Sequence, residues 1–182
     1  MLTVLLESLH AWWPETVLSI GALLVVLAGA WTKRTQPALT VSWLTLLMSA
    51  VALWQAPVPP ESGVFFGLIV CDTFSLIFRW LSLGTVAVVL LLIAGSREVE
   101  ESIRGEYLGL LLFVGVGLML MAEANHLLMA YVSMELVSLS SYALVGLLRD
   151  ARASEAALKY LLFGALASGI MLFGMSWLFG LT

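Results

Sequence analysis

Glu135 lies inside an apolar run, residues 127–137, Leu-Leu-Met-Ala-Tyr-Val-Ser-Met-Glu-Leu-Val. An ionisable carboxyl near the centre of a membrane span costs roughly 2.5–3.5 kcal/mol on insertion scales. A group kept at that cost is read first as a proton or ion site facing a bundle interior. Tyr131, Glu135, Ser138 and Tyr142 are spaced i, i+4, i+7 and i+11, which places them on one helical face. A phenol, a carboxyl and a hydroxyl on one face can order water and relay protons. The competing reading is polar glue between helices, with Glu135 tied off by a structural partner. Glue is the favoured reading for Tyr131 and Ser138, and chemistry for Glu135.

Other polar residues carry weaker signals. Lys159 follows Glu155 at i+4, the favoured order for a helical ion pair, and a long side chain near a helix end can reach water. Facing Glu135 instead, it would hold that carboxyl ionised, and its loss would leave an uncompensated, desolvated acid. Both readings stay open. Arg79 sits within an apolar stretch and calls for Asp72 or a carboxyl on a neighbouring helix or another chain. His126, beside Asn125 at a turn, can titrate near neutral pH and serve as a proton exit, or be an interfacial polar residue. Glu123 is a weaker candidate of the same kind. Cys71 reads as a small buried packer. Gly164 and Ser168, and again Ala165 and Gly169, are four apart, the small-residue spacing of close membrane helix contacts.

The elements that must position these groups are membrane helices. The chain has 182 residues, 62% hydrophobic and 11% charged, with mean hydropathy +1.06. A soluble domain is about 45–50% apolar and about 25% charged. The fold class is therefore all-α, a polytopic bundle of about six transmembrane helices forming a single membrane domain over 1–182. With about 20 apolar residues per span, the predicted spans are 16–32, 38–56, 72–94, 107–121, 127–148 and 154–180. Residues 57–63 are a breaker, 64–70 an interfacial approach, Asp72 an N-cap, 96–106 a charged loop and 123–126 a turn. One cysteine excludes an intrachain disulfide and a Cys-rich cluster on this chain, and two histidines are too few for a typical haem or metal cluster. There is no basic patch for nucleic acid, and the start lacks the basic region of a signal peptide. Lys33, Arg34, Arg97, Arg104, Arg149 and Arg152 all fall in alternate loops. The positive-inside rule then puts those loops in the cytoplasm and the N-terminus outside.

Residues 124–127 (Ala-Asn-His-Leu), 134–139 (Met-Glu-Leu-Val-Ser-Leu), 142–146 (Tyr-Ala-Leu-Val-Gly) and 154–160 (Ser-Glu-Ala-Ala-Leu-Lys-Tyr), with the Gly/Ala/Ser-rich sixth helix, form a specific pattern. It resembles subunit N of NADH–quinone oxidoreductase, respiratory complex I, one of three antiporter-like proton-pumping subunits. Residues 71–74 (Cys-Asp-Thr-Phe) resemble the family's entry to its third helix. The resemblance implies that Glu135 and Lys159 are the family's fifth-helix glutamate and sixth-helix lysine, a proton-relay pair; Tyr131, Ser138, Tyr142 and His126 stand beside them as relay or support on the residue reading alone. It implies the N-terminal portion of a fourteen-helix fold, so the family's seventh-helix lysine, the usual partner of Glu135, lies outside this sequence. The expectation is a fragment, a split subunit completed by a second chain, or a shortened homologue. No catalytic, cofactor or metal site is expected on this chain; NADH, FMN, iron–sulfur clusters and quinone are expected on partner subunits. Partners would be a neighbouring antiporter-like subunit, small helical subunits and the bilayer of the cell inner membrane. The fold is shared with cation/proton antiporters and membrane-bound hydrogenases, which form the alternative reading; a structural subunit with no transport role is the second. Arg79 is not part of the pattern and takes no role from it.

Overall fold

Hydrocarbon offers the backbone no hydrogen bonds, so each apolar segment must satisfy its own peptide groups by coiling into a helix. A computed structural model of the chain describes residues 8–32, 35–56, 64–96, 99–148 and 150–181. Outside the described residues fall the chain start at 1–7, Lys33, Arg34, Arg97, Arg149 and the expected breaker at 57–63. The described helices are α1 (Trp13–Thr32), α2 (Thr35–Gln55), α3 (Thr73–Gly95), α4 (Arg104–Glu123), α5 (Leu127–Gly146) and α6 (Ala151–Leu181). All six are long and apolar enough to cross a membrane. The protein is an all-α, polytopic membrane bundle.

Four helices start three residues before the apolar runs that predict them, at 13, 35, 104 and 151 rather than 16, 38, 107 and 154. Hydropathy marks the part in hydrocarbon, whereas helical hydrogen bonding continues through the polar first turn. Arg104 shows the consequence. Expected as a loop cation, it is buried in the first turn of α4, where Nη2 donates to the carbonyls of Ser96 at 2.7 Å and Val99 at 3.1 Å. Asp72 caps α3 as expected: its Oδ1 accepts from Ser75 N at 2.7 Å, and Asp72 N donates back to Ser75 Oγ at 2.9 Å. This reciprocal pair is a capping box.

The core gathers on α4, which packs against α1, α2, α3 and α5. Leu108, Leu112 and Met119 of α4 and Leu18, Ala22 and Val25 of α1 are fully buried. Association of helices in lipid depends on close van der Waals approach rather than on a hydrophobic drive. The α1–α4 crossing shows it: a Cβ on Gly29 would collide with the Gly105 backbone, and one on Gly105 with that of Gly29. In contrast, among the described helices α6 packs only against α5, and most of its side chains are exposed.

The approach segment is a compact turn. Val64 and Ile69 pair across it, and Ile69 pairs with Ala124. Val70 N donates to Glu123 O and Asn125 N to Leu68 O, fastening the turn over the α4–α5 junction. Phe65, Phe66 and Gly67 have φ of 51°, 59° and 84°. The two phenylalanines therefore hold a left-handed backbone that costs roughly 1–2 kcal/mol per residue. The Phe65 ring meets Trp12 edge-on with centroids 5.6 Å apart.

Candidate functional site

Glu135 lies eight residues into α5, about 12 Å along the axis. Its side chain is half-buried, and Oε1 is buried without a hydrogen-bond partner among the described residues. Tyr131, Ser138 and Tyr142, its companions on the stripe, are half-buried as well. Tyr142, at the loop end of that face, packs against α6. The Tyr142 ring meets Tyr160 edge-on at 4.7 Å, and its hydroxyl occupies the space a Cβ on Gly164 would need.

Three contacts fix the antiparallel register of α5 and α6. Gly146 lies against Ala157 and Tyr142 against Gly164, while His126 and Phe179 stand with ring centroids 5.5 Å apart. Glu135 is thereby level with the neighbourhood of Gly169, and Lys159 with that of Val145. About ten residues, or roughly 15 Å of helix, separate the two levels. Lys159 instead pairs with Glu155 one turn earlier, both side chains 66% exposed. The four stripe residues share one face of α5, and Lys159 is held apart from Glu135. Of the two small-residue lines on α6, Gly164/Ser168 faces the contact, whereas Gly169 is open.

His126 is the N-cap of α5, and its Nδ1 accepts from Leu128 N at 3.2 Å. That bond places the proton of a neutral ring on Nε2.

A second polar site was not foreseen as a unit. Arg79 Nε and Nη2 donate to Glu15 Oε1 and Oε2, each at 2.8 Å. The same Nε lies 2.8 Å from Glu123 Oε1. All three side chains are at most 3% exposed. The expected partner class, a carboxyl on a neighbouring helix, is right: α1 supplies Glu15 and α4 supplies Glu123, while the Asp72 carboxyl is spent on the α3 cap. Glu123, expected at the open turn, is the buried last residue of α4. Glu15 lies in the first turn of α1. Its place in the first turn of a span, with an unpaired arginine inside another, is the signal that could have joined them. Cys71 borders the site, Sγ 3.8 Å from Glu123 Oε1. Burial, reinforced by the Glu123 charge, pushes its thiol up to about 12.

Comparison with known proteins finds similarity over most of the chain. Residues 124–182, containing α5 and α6, match the family described as NADH:quinone oxidoreductase/Mrp antiporter, TM. Over 173 residues the chain is 38% identical to NADH-quinone oxidoreductase subunit N of Anaeromyxobacter sp. (strain Fw109-5), covering 93% of this chain and 33% of the relative. It is 41% identical over 189 residues to NADH-quinone oxidoreductase subunit N 2 of Sorangium cellulosum, covering 96% and 37%. A third relative, NAD(P)H-quinone oxidoreductase subunit 2 of Synechococcus sp. (strain JA-3-3Ab), is 37% identical over 183 residues, covering 96% and 34%. The chain thus spans about a third of the length of the curated relatives it matches. Over that third the chain is similar to the NADH-quinone oxidoreductase subunit N proteins and, at residues 124–182, to the antiporter-like membrane family.

Proposed function

We propose that this chain is part of a proton-translocating membrane subunit of an NADH–quinone oxidoreductase, with Glu135 as its relay carboxyl. The observation that carries the reading is the buried, unpartnered Oε1 of Glu135 within a membrane helix. Glu135 joins no ion pair among the described residues, and its Oε1 is left for a transferable proton. Tyr131, Ser138 and Tyr142 supply hydroxyls along the same face. Lys159 acts from the loop end of α6, through intervening water rather than by contact, releasing Glu155 as it does so. His126 supports the outer end of the stripe. The N-terminus faces outside the inner membrane, as the loop cations require. NADH, FMN, iron–sulfur clusters and quinone belong to partner subunits, and quinone reduction there drives the proton movement. The polypeptide that completes the subunit, together with a neighbouring antiporter-like subunit, closes the exposed side of α5 and α6.

Glu135→Gln keeps the size of the side chain and removes its titration. In the complete assembly reconstituted in vesicles, it is expected to bring proton pumping and quinone-linked turnover down to background with subunit content unchanged. A variant complex that pumps at the wild-type rate overturns the relay role. The family description also names Mrp antiporters, which favours cation/proton exchange as the second reading. Sodium-dependent proton exchange without NADH or quinone would select it.

A further inference from the structure

The Glu15–Arg79–Glu123 cluster joins three helices, but its charges do not balance. Two carboxyls share one guanidinium, and all three side chains are at most 3% exposed. Glu15 holds Arg79 by a two-pronged fork, the geometry that suits an ionised carboxylate. Glu123 has a single contact with Arg79, and its Oε2 is buried without a hydrogen-bond partner among the described residues.

Among the described residues the surroundings supply no second positive charge. On α2 there is no acidic, basic or histidine residue; it lends only Ser49 Oγ, which donates to Pro14 O at 3.0 Å. Cys71, from the approach turn, is a neutral thiol at ordinary pH. Asp72 is exposed and engaged in its cap. His126 accepts from Leu128 N at the head of α5, and His10 is exposed. With both carboxyls ionised, the site would carry one uncompensated negative charge away from water, among the costliest states a protein interior can hold. Two carboxyls competing for one cation retain a proton for the same reason that paired acids do.

We propose that the cluster is a binding site for one proton, carried by Glu123, so that an acid, a carboxylate and a guanidinium together are neutral. Uptake converts the Glu123 carboxylate to a carboxylic acid and leaves the Glu15–Arg79 fork unchanged. The site lies where α1 begins and α4 ends, on different helices from the Glu135 stripe, and stands without the relay reading.

Infrared difference spectroscopy of the protein in lipid nanodiscs, titrated from acid to alkaline pH, tests it. The expected spectrum at neutral pH contains the carbonyl stretch of a protonated carboxylic acid, which shifts in heavy water. The band should disappear in Glu123→Gln, move in Glu123→Asp and survive in Glu135→Gln. Glu123→Gln imitates the protonated form, so it should fold with an unchanged thermal midpoint; were it not to fold, the movement of the band in Glu123→Asp decides the assignment alone. A folded wild-type protein without such a band at neutral pH, or with a band indifferent to both Glu123 substitutions, overturns the proposal.

Discussion

At the residue scale, two carboxyls in apolar helices meet different fates. Glu135 has an open oxygen and hydroxyls along its face, whereas Glu15 is clamped by both prongs of Arg79. Charge alone therefore does not distinguish the two carboxyls; their hydrogen-bond partners do. Cys71 reports on the clamped site from outside the helices. Its thiol, pushed up to about 12, is almost wholly protonated at neutral pH, and the thiolate is the nucleophile. Alkylation at about pH 8 should be roughly a hundredfold slower than for a free cysteine of pKa about 8.5, after allowing for the greater nucleophilicity of a more basic thiolate. Because the folded pKa is raised, the rate should climb with pH and show no plateau until it passes about 12. A plateau near pH 9 in mass-spectrometric labelling would mean that Cys71 is not desolvated in this way.

At the element scale, the sequence is legible where one helix decides the outcome. Hydropathy locates all six helices, the Asp72 cap follows from local chemistry, and the Tyr131–Glu135–Ser138–Tyr142 face follows from the helical period. What depends on neighbours is not legible. Nothing in the chain order says that α1, α3 and α4 meet at one end, so Arg79 announces the need for a carboxyl without naming Glu15 or Glu123. Likewise, Gly164/Ser168 and Ala165/Gly169 are equivalent as patterns; helix rotation alone decides that Gly164 lies under the Tyr142 hydroxyl while Gly169 is open. That asymmetry yields a prediction. Gly164→Leu should destabilise the α5–α6 contact by about 1–3 kcal/mol through overpacking, and Gly169→Leu should change it by no more than about 0.5 kcal/mol. Denaturation followed through a probe pair on the two helices measures both. Truncating Tyr142 to Ala should recover part of the Gly164→Leu loss; equal effects of the two leucines would show that the contact lies elsewhere on α6.

At the scale of the whole molecule, cohesion is uneven. Around α4 the glycine crossing with α1, the Arg79 cluster spanning α1, α3 and α4, and the fully buried Leu108, Leu112 and Met119 coincide. Removing Arg79 would leave two buried carboxyls without their cation, a loss of about 3–5 kcal/mol for a broken buried pair. By contrast, among the described helices α6 rests on α5 alone, through Tyr142, Tyr160, Gly146 and the His126–Phe179 contact at its far end. Regions with few buried contacts open first, independently of the global transition. Amide hydrogen exchange on this chain in nanodiscs should therefore be slowest in α4 and the facing half of α1, and faster in α6 by orders of magnitude at equal depth from the membrane surface. Arg79→Leu should accelerate exchange in α1, α3 and α4 while leaving the already fast α6 unchanged. Uniform protection across all six helices, or an Arg79 effect that spreads equally into α6, would show that the chain opens as one cooperative unit and that α6 is held by more than its single neighbour.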